Sequence, residues 1–136
     1  MKKRILVVDD DASGREMLGR ILTGEGYAVQ ITSNGSEALA LIAAHRQDLV
    51  LLDLNLPGEN GWDIFERLTT SHPQLAVIIV TARCNQTFHA LAAEAGGLLE
   101  KPLDFPTLLL AVSRLLAEIP EARLARLAGR SARSLT

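Results

Sequence analysis

Two apolar runs, each ending in carboxylates, decide the fold: Ile5-Leu6-Val7-Val8-Asp9-Asp10 and Leu49-Val50-Leu51-Leu52-Asp53. Short runs that are apolar throughout are typical of parallel strands that are buried on both faces. In an open parallel sheet, ligands bind at the carboxyl ends of the strands. The two runs therefore predict a parallel sheet that carries at least three carboxylates at one edge.

The carboxylates predicted at that edge, Asp9, Asp10 and Asp53, would repel one another. Two such charges separated by about 5 Å repel by roughly 3 kcal/mol at an effective dielectric constant of about 20. A hard divalent cation relieves this repulsion. Magnesium binds one or two carboxylates, keeps several water ligands and often shares a phosphate. The sequence therefore indicates magnesium-dependent phosphate chemistry.

Size and composition indicate one globular domain. The chain has 136 residues, of which 48% are hydrophobic and 22% are charged, enough apolar material for a single core. No apolar stretch approaches the ~20 residues of a membrane span, and Met1-Lys2-Lys3-Arg4 leads directly into a strand rather than a signal-peptide core. The single cysteine, Cys84, excludes an internal disulfide framework and favours a reducing compartment. We therefore expect a cytoplasmic protein that does not bind membranes.

Charge is unevenly distributed along the chain. The formal net charge is −2, yet the segment from Glu121 onward carries four arginines and one glutamate, so the preceding body is acidic. An acidic body and a short tail with few arginines do not indicate nucleic-acid binding. We expect one domain over residues 3–119, followed by a short basic tail or linker helix over 120–136.

Apolar runs alternate with segments of helical periodicity, which predicts an α/β protein with a doubly wound parallel sheet. Asp11 is expected to cap the first helix, Asn34 and Glu37 form a capping-box pattern, and Pro106 suits the first turn of the last helix. Five strands are predicted, at 4–8, 27–32, 49–52, 76–80 and 98–99. Five helices are predicted: 13–23, a second that opens at Asn34 and includes Ala43, a third around 64–69, a fourth at 87–95 and a fifth from Asp104 to about 119.

Right-handed crossovers bring the carboxyl ends of all five strands to one edge of such a sheet. Polar residues of useful chemistry lie at or just past these ends: Asp9, Asp10, Asp53, Thr81 and Lys101. Taken singly, each has an ordinary structural explanation, such as a helix cap, a β-branched strand residue or a solvated lysine. Because Pro57 and Gly58 delay the helix after Asp53, capping explains that residue poorly. The five together predict a functional site.

The ordered segments that carry these residues resemble the receiver domain of bacterial two-component response regulators. The segments are Val8-Asp9-Asp10, Asp53-Leu54-Asn55-Leu56-Pro57-Gly58, Thr81-Ala82 and Lys101-Pro102. The resemblance extends over about Lys3 to Ile119, nearly the whole chain. It implies a flavodoxin-like fold in which a five-stranded sheet of order 2-1-3-4-5 is flanked by five helices.

The resemblance also implies a role for each site residue. Asp53 matches the phosphoacceptor, a carboxylate nucleophile that takes a phosphoryl group from a sensor histidine kinase, a phosphotransfer protein or a small phosphodonor. Thr81 and Lys101 match the hydroxyl and the ammonium that contact phosphoryl oxygens. The magnesium ligands implied are Asp10, Asp9 (largely through water), Asp53 and the backbone carbonyl of Asn55.

The output implied by the resemblance is a switch in protein contacts rather than catalysis on a separate substrate. Self-catalysed phosphoryl transfer and autodephosphorylation are expected, together with a phosphorylation-dependent homodimer through the fourth helix, the fifth strand and the fifth helix. Family members commonly carry an aromatic residue where Leu98 stands. Leucine lacks the bulk and the polar tip of that ring, which puts the aromatic form of the switch in doubt but not phosphorylation.

Two other functions fit parts of the pattern. A haloacid-dehalogenase-like phosphatase also uses a strand-end aspartate, magnesium and an aspartyl-phosphate. Such enzymes place a second aspartate two residues after the nucleophile as general acid/base, whereas this chain has Asn55, which cannot transfer the proton. A phosphorylation-independent, receiver-like scaffold would be expected to lose some acidic residues, Thr81 or Lys101, and all are present here.

Overall fold

The computed structural model describes residues 2–82, 96–118 and 121. The predicted fourth helix, at 87–95, lies outside these ranges, and so does the predicted tail except for Glu121. We label the helix predicted as the fifth α4. The strands are β1 (Arg4–Val8), β2 (Ala28–Thr32), β3 (Leu49–Asp53), β4 (Ala76–Thr81) and β5 (Gly96–Glu100), and the helices are α1 (Ala12–Gly24), α2 (Gly35–Ala44), α3 (Gly61–Ser71) and α4 (Phe105–Ala117).

The five strands form one parallel sheet of order β2-β1-β3-β4-β5, which confirms the predicted topology. Val8 pairs with Leu52 across β1 and β3, and Thr81 pairs with Glu100 across β4 and β5. The register therefore aligns the carboxyl ends of the strands. Because all the strands run the same way, the residues that follow them emerge at one edge of the sheet.

Helices cover both faces of the sheet, which explains why the runs of β1 and β3 are apolar at every position. Leu6 and Val8 pack on the side of α2 and α3, with Phe65 and Leu68. On the opposite side, with α1 and α4, lie Ile5, Val7, Leu18, Leu22, Leu108 and Val112. Alternate residues of each central strand thus contribute to separate apolar layers.

Short polar side chains begin the helices. Asp11 accepts a hydrogen bond from the amide of Gly14 at 3.2 Å, which confirms the predicted cap of α1. In the predicted capping box, Asn34 accepts from the amide of Glu37 at 2.7 Å, whereas the Asn34 amide donates to Oγ1 of Thr32 at 3.4 Å. Asp104 caps α4 and Asn60 caps α3.

The fifth strand is longer than predicted. The predicted strand begins at Leu98, but Gly96 and Gly97 already pair with Val77 and Ile78 of β4 and begin β5. The sequence pattern missed this because the backbone hydrogen bonds of a neighbouring strand can hold glycines extended despite their low strand propensity. Across the described part of the chain, none of the helices has the length and apolar character needed to cross a membrane.

Candidate functional site

Three carboxylates meet at the edge predicted from the sequence. Asp53 ends β3 and is 2% exposed, Asp9 follows β1 and is 4% exposed, and Asp10 beside it is exposed. One carboxylate oxygen from each lies within 4.8 Å of the others. The structure therefore brings together the three acidic residues that the sequence nominated.

The ammonium of Lys101 lies among these carboxylates. Lys101 directly follows β5, and its backbone amide donates to the carbonyl of Thr81 at 2.9 Å. The side-chain nitrogen is 2.9 Å from Oδ2 of Asp53 and 3.4 Å from Oδ2 of Asp9. Burial by itself would lower the pKa of Lys101, but the two carboxylates outweigh it, so the pKa is raised. Lys101 is therefore a stable positive charge at the centre of the site.

The carboxyl group of Asp9 is held in an unfavourable environment. Burial raises the pKa of Asp9 above its ordinary value, and the charge of Asp53 raises it further. The amide of Asp11, which donates to Oδ1 of Asp9 at 3.0 Å, and the ammonium of Lys101 lower it without cancelling the rise. Ionised Asp9 is thus a buried charge that lacks full compensation from the protein.

Backbone contacts fix the position of Asp9. Its amide donates to the carbonyl of Thr32 in β2 at 3.1 Å. Its own carbonyl accepts from the guanidinium of Arg15 in α1 at 2.8 Å. Asp9 is therefore held between a strand and a helix rather than on a free turn.

Asn55 and Thr81 complete the site. The amide of Asn55 donates to Oδ1 of Asp53 at 2.8 Å, so the two oxygens of Asp53 have different partners, an amide and an ammonium. The side-chain amide of Asn55 lies 3.4 Å from Oγ1 of Thr81, which is 1% exposed at the end of β4. Every residue that the sequence placed in the site is therefore found at this edge of the sheet.

The donor set fits a hard divalent cation. Asp9, Asp10 and Asp53 offer only oxygen ligands, the donors that magnesium prefers. Three carboxylates against one ammonium leave an excess of negative charge when all are ionised. Burial, more than the charge of Asp53, raises the pKa of Asp9, so a cation ligated there would favour its ionised form. The residues present therefore fit a magnesium site.

Of the surface predicted to change its protein contacts, the structure describes β5 and α4. Leu98 in β5 is partly buried and packs with the apolar layer on the side of α2 and α3. On α4, Leu108, Val112 and Leu115 are buried, whereas Leu110 is 51% exposed. An apolar side chain is thus presented to solvent on α4.

One contact near the site was missed by the sequence analysis. The carboxylate of Glu59, in the loop between β3 and α3, accepts hydrogen bonds from the first two amides of α2. The two segments are more than twenty residues apart, so no local pattern signals the contact.

Comparison with known proteins agrees with this geometry. The sequence model of the response regulator receiver domain matches residues 5–113. This chain therefore belongs to the family of response regulator receiver domains of two-component systems.

Characterised relatives are longer proteins. The DNA-binding response regulator MtrA of Mycobacterium tuberculosis is 43% identical over 96 residues, which cover 71% of this chain and 42% of MtrA. The DNA-binding transcriptional regulator NtrC of Rhizobium meliloti is 38% identical over 125 residues, or 90% of this chain and 26% of NtrC. The chain thus spans less than half the length of each of these two relatives.

Solved structures share the fold over nearly their full length. A CheY-like receiver domain protein from Methanospirillum hungatei superposes with a TM-score of 0.80 at 31% identity, covering 85% of this chain and 94% of that one. The response regulator TrrA of Thermotoga maritima, solved in complex with Mg²⁺-BeF, gives a TM-score of 0.74 at 33% identity. The match covers 83% of this chain and 98% of TrrA.

Proposed function

We propose that this chain receives a phosphoryl group on Asp53 in a magnesium-dependent reaction, and that the modification regulates contacts with other proteins. The observation that carries the proposal is the convergence of a buried carboxylate, an ammonium and a hydroxyl from three strand ends at Asp53, Lys101 and Thr81. The donor is a sensor histidine kinase, a phosphotransfer protein or a small phosphodonor. A cytoplasmic location is part of the proposal.

The chemistry assigns a separate task to each side chain. A carboxylate oxygen of Asp53 attacks the phosphorus, and the bond from phosphorus to the donor breaks with its electrons leaving on the donor. Lys101, already 2.9 Å from Asp53, is placed to pair with an oxygen of the transferred group. The Thr81 hydroxyl can donate to another. Fixed donors of this kind stabilise the charge that spreads over the phosphoryl oxygens.

Asp9, Asp10, Asp53 and the backbone carbonyl of Asn55 are the proposed magnesium ligands. When bound, magnesium would neutralise phosphoryl charge during the transfer. Two observations support this assignment: the close approach of the three carboxylates, and the complex of the related TrrA with Mg²⁺-BeF. Loss of the phosphoryl group to water at the same site is also proposed, so that the signal decays without a second enzyme.

For the output, we propose that phosphorylation changes the face of β5 and α4, together with the predicted fourth helix at 87–95, which lies outside the described residues. The exposed Leu110 supports a protein contact there, and a phosphorylation-dependent homodimer is the contact we propose. Leu98 replaces the usual aromatic residue, so a change in its packing would differ from ring rotation. Because the body of the chain is acidic, we propose that the chain itself does not bind nucleic acid.

The phosphatase alternative is disfavoured by Asn55. Its side chain is an amide that contacts Thr81, and an amide cannot supply the proton transfer that hydrolysis by such enzymes requires. The scaffold alternative is disfavoured because the acidic residues, Thr81 and Lys101 are all retained and gathered at one edge.

The proposal is tested by treating the protein with acetyl phosphate and measuring its intact mass. The expected result is a gain of one phosphoryl group that requires magnesium and is abolished by Asp53→Asn. Asp63→Asn, which changes an exposed acid in the first turn of α3, is the matched control and should label normally. Labelling of Asp53→Asn to the level of the native chain would refute the assignment.

A further inference from the structure

The loop that follows Asp53, residues 54–60, is closed at its base. The amide of Leu54 donates to the carbonyl of Val80 at 3.0 Å. At the other end, Gly61 packs so tightly that a Cβ there would lie 2.6 Å from Cα of Leu54. Because backbone rather than a flexible side chain occupies that space, only glycine fits at position 61. The two ends of the loop are therefore held together.

The loop contains a turn at Gly58 and Glu59. Gly58 has a φ of +71°, a conformation that favours glycine. The amide of Glu59 donates to the carbonyl of Leu56 at 3.2 Å. The turn brings the side chain of Glu59 to the start of α2.

Glu59 there binds two backbone amides that α2 cannot satisfy itself. One carboxylate oxygen accepts from Gly35 at 2.7 Å and the other from Ser36 at 3.3 Å. A Cβ at Gly35 would lie 3.3 Å from the carboxylate and 2.5 Å from Cδ1 of Ile64, so glycine permits this close approach. Charged acceptors at a helix N-terminus form stronger hydrogen bonds than neutral ones and are favoured by the helix dipole.

The start of α2 is also linked to Asp9. The amide of Asn34 donates to Oγ1 of Thr32, and the carbonyl of Thr32 accepts from the amide of Asp9. Hydrogen bonds therefore connect Asp9, through β2 and α2, to Glu59 and the loop that carries Asn55. The loop and Asp9 are the two sides of the proposed magnesium site.

We infer that Glu59 is a positioning residue for this site, acting through α2 to hold the backbone of Asn55 at the correct distance from Asp9. The inference rests on the proposed function, in which Asn55 and Asp9 contribute to magnesium binding. It differs from simple helix capping, because a cap alone would stabilise α2 without affecting the affinity for the metal.

Glu37 provides the matched control. It is an exposed acid in the first turn of α2, so its replacement removes the same charge from the same helix end. The variants are Glu59→Ala, Glu59→Gln and Glu37→Ala. Magnesium alone is the probe, titrated by the fluorescence of Trp62 in α3 and by the shift in melting temperature. Hydrogen exchange of the amides of 54–60 is measured without metal.

Glu59→Ala should weaken magnesium binding by about fivefold to tenfold, near the lower end of the losses caused by removing groups that orient metal ligands. The loop amides should exchange faster in the metal-free variant. Glu59→Gln, which keeps one acceptor oxygen, should be intermediate, and it serves as the test if Glu59→Ala does not fold. Glu37→Ala should change the affinity by less than about twofold.

Equal magnesium affinity in the Glu59 and Glu37 variants would overturn the inference, and so would unchanged exchange of the loop amides in Glu59→Ala. Failure of the proposed function looks different. In that case the native chain would not bind magnesium, and only the exchange measurement would separate the Glu59 and Glu37 variants.

Discussion

The side-chain nitrogen of Lys101 lies 2.9 Å from Oδ2 of Asp53. Lys101 follows β5, and Asp53 is the last residue of β3. In the sheet, β4 lies between these two strands. The contact therefore reaches across a strand and neutralises the buried carboxylate. It also places a positive charge beside the carboxylate to which a phosphoryl group would be attached.

Replacing Lys101 by alanine should slow phosphorylation by acetyl phosphate by about a hundredfold, the order of loss seen when a fixed donor to a developing charge is removed. Measurement of the labelling rate by intact mass tests this. Lys3→Ala, which changes an exposed lysine, should leave the rate unchanged. A native rate in Lys101→Ala would mean that the ammonium serves stability alone.

The same substitution should lower stability, because Asp53 and Asp9 would lose their cationic partner. We expect the free energy of unfolding to fall by about 2 kcal/mol, less than for a fully buried pair because the side chain of Lys101 is 29% exposed. Urea denaturation in EDTA measures this loss. Equal stability of the variant and the native chain would contradict the contribution assigned to the pair.

Asp9→Asn should have opposite effects on stability and metal binding. Because burial raises the pKa of Asp9, the ionised group is less favourable in the folded than in the unfolded chain. Asparagine retains an acceptor for the amide of Asp11 without the charge. We expect a gain of about 1 kcal/mol in the free energy of unfolding in EDTA at neutral pH, and weaker magnesium binding.

The stability difference should depend on pH with a definite sign. Between the ordinary carboxyl pKa of 3.8 and the raised value, the folded chain binds more protons at Asp9 than the unfolded chain does. The contribution of Asp9 to stability is therefore lost as pH rises through this window. Urea denaturation from about pH 4 to about pH 7 should show the advantage of Asp9→Asn growing and then levelling off. An advantage that shrinks over this range would show that the shift has the opposite sign.

Substitutions at Asp10 and Asp11 should have different effects, because Asp10 is a proposed metal ligand and Asp11 is a helix cap. Asp10 is one of the clustered carboxylates, whereas Asp11 accepts from the amide of Gly14 at the start of α1. Asp10→Asn should weaken magnesium binding by more than about tenfold, since groups that only orient a ligand are already worth roughly that much. Asp11→Asn keeps a capping oxygen and should bind normally in a Trp62 fluorescence titration. Equal losses would mean that the acidic pair is assigned wrongly.

Beryllofluoride should promote self-association through α4. Leu110 on α4 and Met17 on α1 are both 51% exposed, which makes them matched positions for the same substitution. Leu110→Glu should abolish a beryllofluoride-dependent increase in sedimentation rate, and Met17→Glu should preserve it. We expect a coupling free energy of ~1–3 kcal/mol between the binding of beryllofluoride and dimerisation. Identical sedimentation of the native chain with and without beryllofluoride would contradict the dimer.

Local signals in the sequence predict much of the fold. Asp11 and Asp104 each cap a helix by accepting from an amide three residues later, a contact within one turn. The apolar runs of β1 and β3 predict strands buried on both faces, and the structure confirms them. The site residues are predictable because the parallel sheet places every strand end at one edge.

Contacts between distant segments are not predictable in the same way. The pattern at Asn34 and Glu37 predicts a reciprocal capping box, but the Asn34 amide donates to Oγ1 of Thr32 instead. The first two amides of α2 donate to a carboxylate from another loop, that of Glu59. The need for glycine at position 61 depends on the backbone of Leu54, which only the folded chain brings there. Likewise, the sequence places Lys101 near the carboxylates, but only the structure shows that it is closer to Asp53 than to Asp9.

The site of phosphorylation is the central claim, and locating the modified residue tests it most directly. After treatment with acetyl phosphate and magnesium, borohydride reduces an aspartyl-phosphate to homoserine, which peptide mass spectrometry can assign to one position. We predict homoserine at position 53 and unmodified aspartate at positions 9 and 10. Homoserine at another acidic residue, with Asp53 intact, would contradict the account.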